Sequence, residues 1–216
     1  MTASVFLDEL AEFPASVLDT LRQPLEEGTV RVCRARASVT FPAHFLLVAA
    51  MNPCPCGEGT GAGGCRCPTA VRLRYVNRVS GPLLDRFDLR VAVDRPEVAQ
   101  LLPTAAGGPA PGGETTATVA ARVAAARGIA RTRGETSNAA LGAHRLDEVA
   151  PLSYEARDVL ERQLRQGHLS ARGLHRVRRV ARTLADLAGR DGPVEEEDVC
   201  TALVLRADPF GVEAVA

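Results

Sequence analysis

Short apolar runs alternate with helical patterns through residues 1–98. The runs are four to seven residues long and rich in Val, Leu and Phe, which is typical of strands buried in an α/β sheet. Between the first two runs, apolar residues recur at helical spacing over 13–25. The predicted strands cover 4–7, 29–32, 38–41, 45–51 and 89–93. We therefore expect residues 1–98 to form part of a parallel α/β sheet.

A segment rich in Pro, Gly, Ala and Thr separates this part from the rest. Residues 102–118 have the sequence LPTAAGGPAPGGETTAT, which has too few large apolar side chains for a core, so we assign 99–118 to a linker. Residues 119–216 are predicted to form an all-helical domain. Ser153 and Ser170 are predicted N-caps, and Pro193 with the glutamates after it suits the start of the last helix. The helical patterns cover 119–133, 153–165, 170–187 and 195–205.

The predicted helix over 170–187 is amphipathic. Its apolar stripe indicates a core helix of the second domain. Four arginines gather near its N-terminal half, and we expect them to be solvated. They are Arg172, Arg176, Arg179 and Arg182.

The charge composition excludes some function classes. All 26 basic residues are arginines, balanced by 26 acidic ones, so no chemistry that needs a lysine is available within the chain. A balanced charge argues against a polybasic tail or a membrane anchor. The chain has no apolar stretch of the roughly 18 to 20 residues that span a bilayer, and its N-terminus lacks a signal-peptide pattern. We expect a cytoplasmic protein that does not bind membranes.

Two carboxylates and an amide follow predicted strands. Asp8 and Glu9 come directly after the first strand, where nucleotide hydrolases hold hydrated Mg²⁺ and polarise the attacking water. Asn52 follows the strand FLLVAAM, where an amide can orient that water or contact a γ-phosphate. Acidic residues also cap strand ends in proteins without nucleotide sites, and an Asn before Pro53 also opens turns. Each signal is open to both interpretations on its own.

Arginines mark two further places. Arg86 lies in SGPLLDRFDL between two aspartates, where a guanidinium can stabilise phosphate charge on a neighbouring subunit or pair with a local Asp. Two β-branched runs flank CRARA, which predicts a hairpin with Arg34 and Arg36 at its tip. These arginines fit phosphate contact, and they equally fit an exposed turn that keeps the hairpin soluble.

Four of the six cysteines form a cluster, CPCGEGTGAGGCRC. Two C-x-C pairs joined by a Gly-rich loop can close a tetrahedral site for structural Zn²⁺. This spacing departs from the commoner C-x₂₋₄-C arrangement, and a redox-labile disulfide or four idle thiols are the alternatives. The candidate ligands are Cys54, Cys56, Cys65 and Cys67.

The order of the motifs DE, NP and DRFD resembles the second half of an AAA+ module of the helix-insert branch, which includes MCM helicases and magnesium chelatase. The sequence is most similar to that of the ComM/YifB family, and the similarity covers nearly the whole chain apart from the linker and the last ten residues. The segments that carry the likeness are FLDELAEF, LRQPLEEG, VAAMNPCPCG, SGPLLDRFDL and SARGLHRVRRVARTLADL.

The resemblance implies a partial AAA+ (P-loop NTPase) parallel sheet followed by a helical lid, with ATP and Mg²⁺ as cofactors. Asp8 and Glu9 would be the Walker B pair and Asn52 the first sensor. Arg86 would be a finger that acts on the next subunit, and Arg172 the second sensor.

The same resemblance implies that the complete protein is a hexameric motor on single-stranded or branched DNA, promoting branch migration in recombination and natural transformation. In related ring helicases the hairpin before the first sensor grips the DNA backbone, which gives Arg34 and Arg36 their expected role. Two alternatives stay open. One is a magnesium-chelatase-like ATPase that remodels a protein partner, and the other is a non-catalytic zinc- or nucleic-acid-binding module.

A phosphate-binding loop of the form G-x-x-x-x-G-K-[ST] needs its lysine, and this chain has none. We expect that loop and its strand to lie upstream of the sequence. We therefore expect the chain alone to hydrolyse no ATP and to expose apolar sheet surface.

Overall fold

The structure, a computed structural model, describes residues 3–34, 37–59, 64–94 and 113–207. The chain divides into two compact units, with the boundary between Phe87 and Asp88.

The first unit is built on two parallel strands. β1 (Ala3–Leu7) pairs with β4 (Phe45–Ala49) in a register that sets Leu7 opposite Ala49. The crossover between them contains two short helices and an antiparallel hairpin. The bounds are α1 Ala15–Thr20, α2 Arg22–Glu27, β2 Thr29–Arg34 and β3 Ala37–Pro42. The predicted hairpin is confirmed, and the predicted helical stretch over 13–25 folds as two short helices.

Two later helices in this unit are α3 (Thr69–Val76) and α4 (Gly81–Leu84). α4 contributes Leu83 to an apolar core that also contains Leu18 of α1, and Leu7 and Ala49 at the strand ends pack against this core. Its fully buried members are Leu10, Leu18, Val79 and Leu83.

One face of the strand pair is open in the described part of the chain, so on this face the strands are not buried as their apolar composition predicts. Side chains alternate between the two faces of a strand, and Phe6, Leu46 and Val48 are on the face that no described element covers. Phe6 is 64% exposed. The α/β class with a parallel strand pair is confirmed, and apolar sheet surface is exposed as expected.

The second unit is helical. The helices that follow Ser153 and Ser170 begin as predicted, because the hydroxyls of these two serines accept hydrogen bonds from the backbone N–H of Ala156 (3.2 Å) and Gly173 (3.0 Å). None of the described helices has both the length and the apolar character needed to cross a membrane. The bounds are α5 Thr116–Thr132, α6 Ala143–Val149, α7 Tyr154–Arg165, α8 Ala171–Leu187 and α9 Glu196–Val204.

Two predicted features in this part of the chain differ from the structure. α5 begins at Thr116, within the segment assigned to the linker, while 99–112 lies outside the described residues. The strand predicted over 89–93 is not present, and Val91 and Val93 are exposed. An apolar run becomes a strand only beside a strand edge, and here the Arg90 N–H donates instead to the Leu205 carbonyl, at 2.6 Å.

The expectation that the α8 arginines are solvated is wrong for Arg182, which is fully buried. Its guanidinium donates to Asp186 Oδ1 (3.1 Å) and to the carbonyls of Gly192 (2.6 Å) and Arg190. Asp186 is 2% exposed and also accepts from Arg133 (2.6 Å). A buried guanidinium is tolerated because a carboxylate and carbonyl oxygens satisfy its donors.

We predict that Asp186→Ala destabilises the second unit by about 3–5 kcal/mol, because it leaves the buried Arg182 charge without its carboxylate. Urea unfolding followed by circular dichroism measures the loss. Glu161→Ala is the matched control: Glu161 also pairs on a helix, with the exposed Arg165, and its loss should cost about 0–1 kcal/mol. Equal losses in the two variants would contradict the structural role given to Asp186.

Candidate functional site

The parallel pairing brings the predicted carboxylates and amide to one edge of the sheet. Asp8 and Glu9 follow β1 directly, and Asn52 comes three residues after the end of β4. Backbone hydrogen bonds continue past the strand ends, from Ala50 N–H to the Leu7 carbonyl and from Leu10 N–H to the Ala50 carbonyl, each 2.9 Å. The segments that carry the three side chains are therefore fixed side by side. Their roles towards a nucleotide stay predictions.

Glu9 has a left-handed backbone conformation, with φ 51° and ψ 48°. It is the one non-glycine residue with positive φ in the described part of the chain. Such a conformation costs a side-chain-bearing residue about 1–2 kcal/mol, and strain of this kind concentrates at functional sites. Asp8 Oδ1 accepts the Glu9 N–H at 2.9 Å, so the Asp8 side chain is held against the Glu9 backbone. The apolar pattern around Glu9 gave no signal of this strain.

A short turn of 3₁₀ helix, Leu10–Glu12, follows Glu9 and is held by a residue that the motif reasoning missed. The Arg78 guanidinium donates to the Ala11 carbonyl (3.0 Å) and to Glu12 Oε2 (3.2 Å), and lies 5.9 Å from the centre of the Tyr75 ring. Arg78 therefore supports the turn that begins at the strained residue. Its contacts reach across more than sixty positions, so spacing along the chain did not indicate it.

Arg86 is half of an ion pair within the first unit. Its guanidinium contacts the Glu26 carboxylate and donates to the carbonyls of Arg22 (3.0 Å) and Pro82 (2.6 Å). The side chain is only 12% exposed. Asp88, one of the two aspartates that flank it in the motif, contacts Arg176 instead, at 2.7 Å. The structure thus holds Arg86 between α2 and α4, and its action on a neighbouring subunit stays a prediction.

The other predicted arginines belong to other elements of the chain. Arg172 is an exposed residue in the first turn of α8, in the second unit. Arg34 is the last residue of β2 and is exposed. Arg36 lies outside the described residues.

The four clustered cysteines come together in space. Their Sγ atoms all lie within 4.8 Å of one another, with Cys54 and Cys56 3.2 Å apart and Cys56 and Cys65 3.6 Å apart. Backbone N–H groups point at two of the sulfur atoms, from Gly59 to Cys54 (3.4 Å) and from Cys67 to Cys65 (3.3 Å). All four are free thiols, so the structure contains none of the predicted alternative disulfides.

The thiols of the cluster affect one another's ionisation. Burial opposes ionisation of Cys54, but the Gly59 N–H and the neighbouring thiols outweigh it and lower the pKa of Cys54 to about 6. At Cys65 the Cys67 N–H favours the thiolate, yet burial and the adjacent sulfurs raise its pKa to about 12. The cluster by itself thus stabilises one thiolate at the expense of its neighbours, as expected when like charges lie close together.

Family comparisons cover both parts of the chain. Residues 2–101 match the family model described as "Magnesium chelatase, subunit ChlI", and residues 113–206 match "Magnesium chelatase, subunit ChlI C-terminal".

Three curated proteins illustrate the similarity. The Competence protein ComM of Haemophilus influenzae is 44% identical over 185 residues, which are 86% of this chain and 35% of that protein. The uncharacterized protein YifB of Escherichia coli is 43% identical over 187 residues, 87% of this chain and 36% of YifB. The uncharacterized protein Rv2897c of Mycobacterium tuberculosis is 42% identical over 206 residues, 94% of this chain and 39% of that protein. The chain thus spans less than two fifths of the length of these relatives.

We predict that Glu26→Gln lowers the free energy of unfolding by about 1–2 kcal/mol, because it removes the charged partner of the nearly buried Arg86 while keeping side-chain size. Chemical denaturation measures the change. Glu27→Gln is the control, since Glu27 lies next in α2 and accepts only from the exposed Gln23 among its described contacts (2.9 Å). If Glu26→Gln lowers the free energy of unfolding no more than this control does, the ion pair does not stabilise the fold.

Proposed function

Because the chain belongs to the ComM/YifB family of magnesium-chelatase-like proteins, we propose that it is part of an ATP-hydrolysing AAA+ ring motor that acts on DNA in the cytoplasm. The observation that carries the proposal is the shared strand edge: Asp8, Glu9 and Asn52 follow two strands whose parallel register is fixed. The backbone strain at Glu9 supports it, because strain persists where the surrounding structure enforces it. The sheet would be part of a P-loop NTPase core and the helical unit its lid.

The side chains at this edge fit a magnesium nucleotide. Carboxylate oxygens are the ligands that Mg²⁺ prefers, and a bound Mg²⁺ would neutralise charge on the terminal phosphates. Asp8 would hold the ion through its water shell. Glu9 would accept the proton of the attacking water, and Asn52 would orient that water with its amide. The phosphate-binding residues would come from outside this sequence, which contains no lysine.

Two arginines would complete the site in a homo-hexamer. Arg86 would reach the γ-phosphate of the adjacent subunit, where a guanidinium stabilises charge in the transition state. Its present partner Glu26 is on the same subunit, so assembly of the ring would exchange or share that contact. Arg172 at the start of α8 would contact the phosphates as the second sensor.

The hairpin of β2 and β3 would be the DNA contact. Arg34 ends β2 in an exposed position, and Arg36 follows two residues later in the sequence. Arginines on a projecting ribbon suit the phosphates of single-stranded or branched DNA. The intact protein would then resemble a ComM-like helicase that promotes branch migration in recombination and natural transformation.

One observation favours a second candidate. Both family models are named for a magnesium chelatase subunit, which supports an ATPase that remodels a protein partner. A non-catalytic zinc- or nucleic-acid-binding module is the remaining alternative. Stimulation of the ATPase of the intact protein by branched DNA would favour the DNA motor, and no stimulation by any DNA would favour protein remodelling.

We predict that Glu9→Gln in the intact protein lowers kcat for ATP hydrolysis about 10²–10⁴-fold, the range typical of a lost general base. Nucleotide affinity should change little, because the amide keeps the size of the side chain. Glu12→Gln is the matched control, three positions on in the same turn and paired with Arg78, and should retain activity. Unchanged turnover in Glu9→Gln would refute the assignment of Glu9.

We predict that the double variant Arg34→Ala and Arg36→Ala weakens DNA binding and reduces its salt dependence, with a slope smaller by about one for each phosphate that the protein no longer binds. ATP affinity should stay the same. Arg31→Ala is the control within the hairpin, because Arg31 lies on the other face and donates to Ser38 Oγ at 3.1 Å. Fluorescence anisotropy across a salt series measures both, and an unchanged DNA affinity in the double variant would contradict the proposed role of the hairpin.

A further inference from the structure

The connection between β4 and α3 contains four cysteines that have no role in the proposed ATP hydrolysis. The four cysteine sulfurs of this connection lie within 4.8 Å of one another, with 3.2 Å between Cys54 and Cys56 and 3.6 Å between Cys56 and Cys65. In a tetrahedral site with Zn–S bonds of about 2.3 Å, sulfur atoms lie about 3.8 Å from one another. The thiols therefore already have nearly the spacing that a single tetrahedral ion requires.

The backbone around the sulfurs is arranged to stabilise thiolates. The N–H groups of Gly59 and Cys67 donate to Cys54 and Cys65, and hydrogen bonds of this kind orient metal-binding sulfurs. Gly57, Gly59 and Gly64 all have positive φ, which lets the chain turn tightly between the two cysteine pairs. The turn at Gly59 also brings its N–H to the Cys54 sulfur, so the backbone conformation and the hydrogen bond act at the same point.

The connection has little else to hold it. Residues 54–67 contain no apolar side chain larger than proline or cysteine, so the loop cannot form a hydrophobic core of its own. Cys54 is nevertheless fully buried. The four cysteines of the loop are free, and they are close enough together for one metal ion to cross-link the segment.

We propose that Cys54, Cys56, Cys65 and Cys67 bind one Zn²⁺ through four thiolates, and that this ion fixes the connection from β4 to α3. Each thiol gives up its proton to solvent as its S–Zn bond forms. Four thiolates fill the tetrahedral coordination, so no position is open to water or substrate and the ion is structural.

The ion would connect two parts of the structure that meet beside the candidate site. Cys54 lies two residues after Asn52, and Cys67 lies two residues before α3 begins at Thr69. α3 in turn buries Tyr75 and Val76 against Ala11, in the turn that follows Glu9, with Met51 packed alongside. Zinc would thereby set the end of β4 relative to α3. This inference does not depend on the ATPase assignment.

The test is the metal content of the protein purified under reducing conditions without chelators, measured by inductively coupled plasma mass spectrometry. We expect one zinc ion per chain. Serine replacement of Cys56 or Cys67 should reduce the zinc content to background. The double variant Cys33→Ser and Cys200→Ser should keep the full content, because both residues are exposed and lie outside the cluster.

A measurement on the unmutated protein keeps the test independent of folding defects in the variants. Titration with an organomercurial, in the presence of a chromophoric chelator, should release the zinc as the four thiols of the cluster react. Replacement by Co²⁺ should give the intense visible absorption of tetrahedral thiolate coordination. Iron in place of zinc, a metal-free protein with all its thiols reactive, two disulfides by mass under anaerobic handling, or the weak spectrum of octahedral Co²⁺ would each overturn the proposal.

Discussion

The parallel pairing of β1 with β4 is the constraint on which the candidate site depends. Because both strands run in the same direction and Leu7 is opposite Ala49, the residues after each strand leave the sheet at the same edge. A slip of one position would turn every side chain of one strand to the other face, and it would break the hydrogen bonds that join Leu10 and Ala50 beyond the strands. The register thus determines which polar side chains become neighbours, although about forty residues separate them in the sequence.

Features set by neighbouring residues were predictable from the sequence, and features set by distant contacts were not. The hairpin and the caps at Ser153 and Ser170 depend on residues within a few positions, so their patterns are visible in the sequence. The run over 89–93 has the composition of a strand, but composition does not supply a partner edge. Arg182 follows the spacing of a solvent-facing residue, yet Asp186 and carbonyl groups beyond the end of α8 let it be buried.

In the candidate site, too, local features were predictable from the sequence and distant contacts were not. The residue types at the strand ends and the cysteine cluster were identified from the sequence, because strand ends and paired cysteines have recognisable local patterns. The contact between Arg86 and Glu26 joins residues sixty positions apart, and the support that Arg78 gives to the turn after Glu9 spans a similar distance. In a chain whose cations are all guanidinium groups, such arginines bind carbonyl and carboxylate oxygens together. They fix the structure as well as carrying charge.

The left-handed backbone at Glu9 also limits how this position can change. The side chains that such a conformation accepts most readily are glycine, asparagine and aspartate, and these either remove the carboxylate or draw it back by one methylene group. Replacements that relax the backbone are therefore the same ones that shorten the reach of the acidic group. If variants were selected for thermal resistance alone, replacements at position 9 that remove or shorten the Glu9 carboxylate at the strand edge would be favoured.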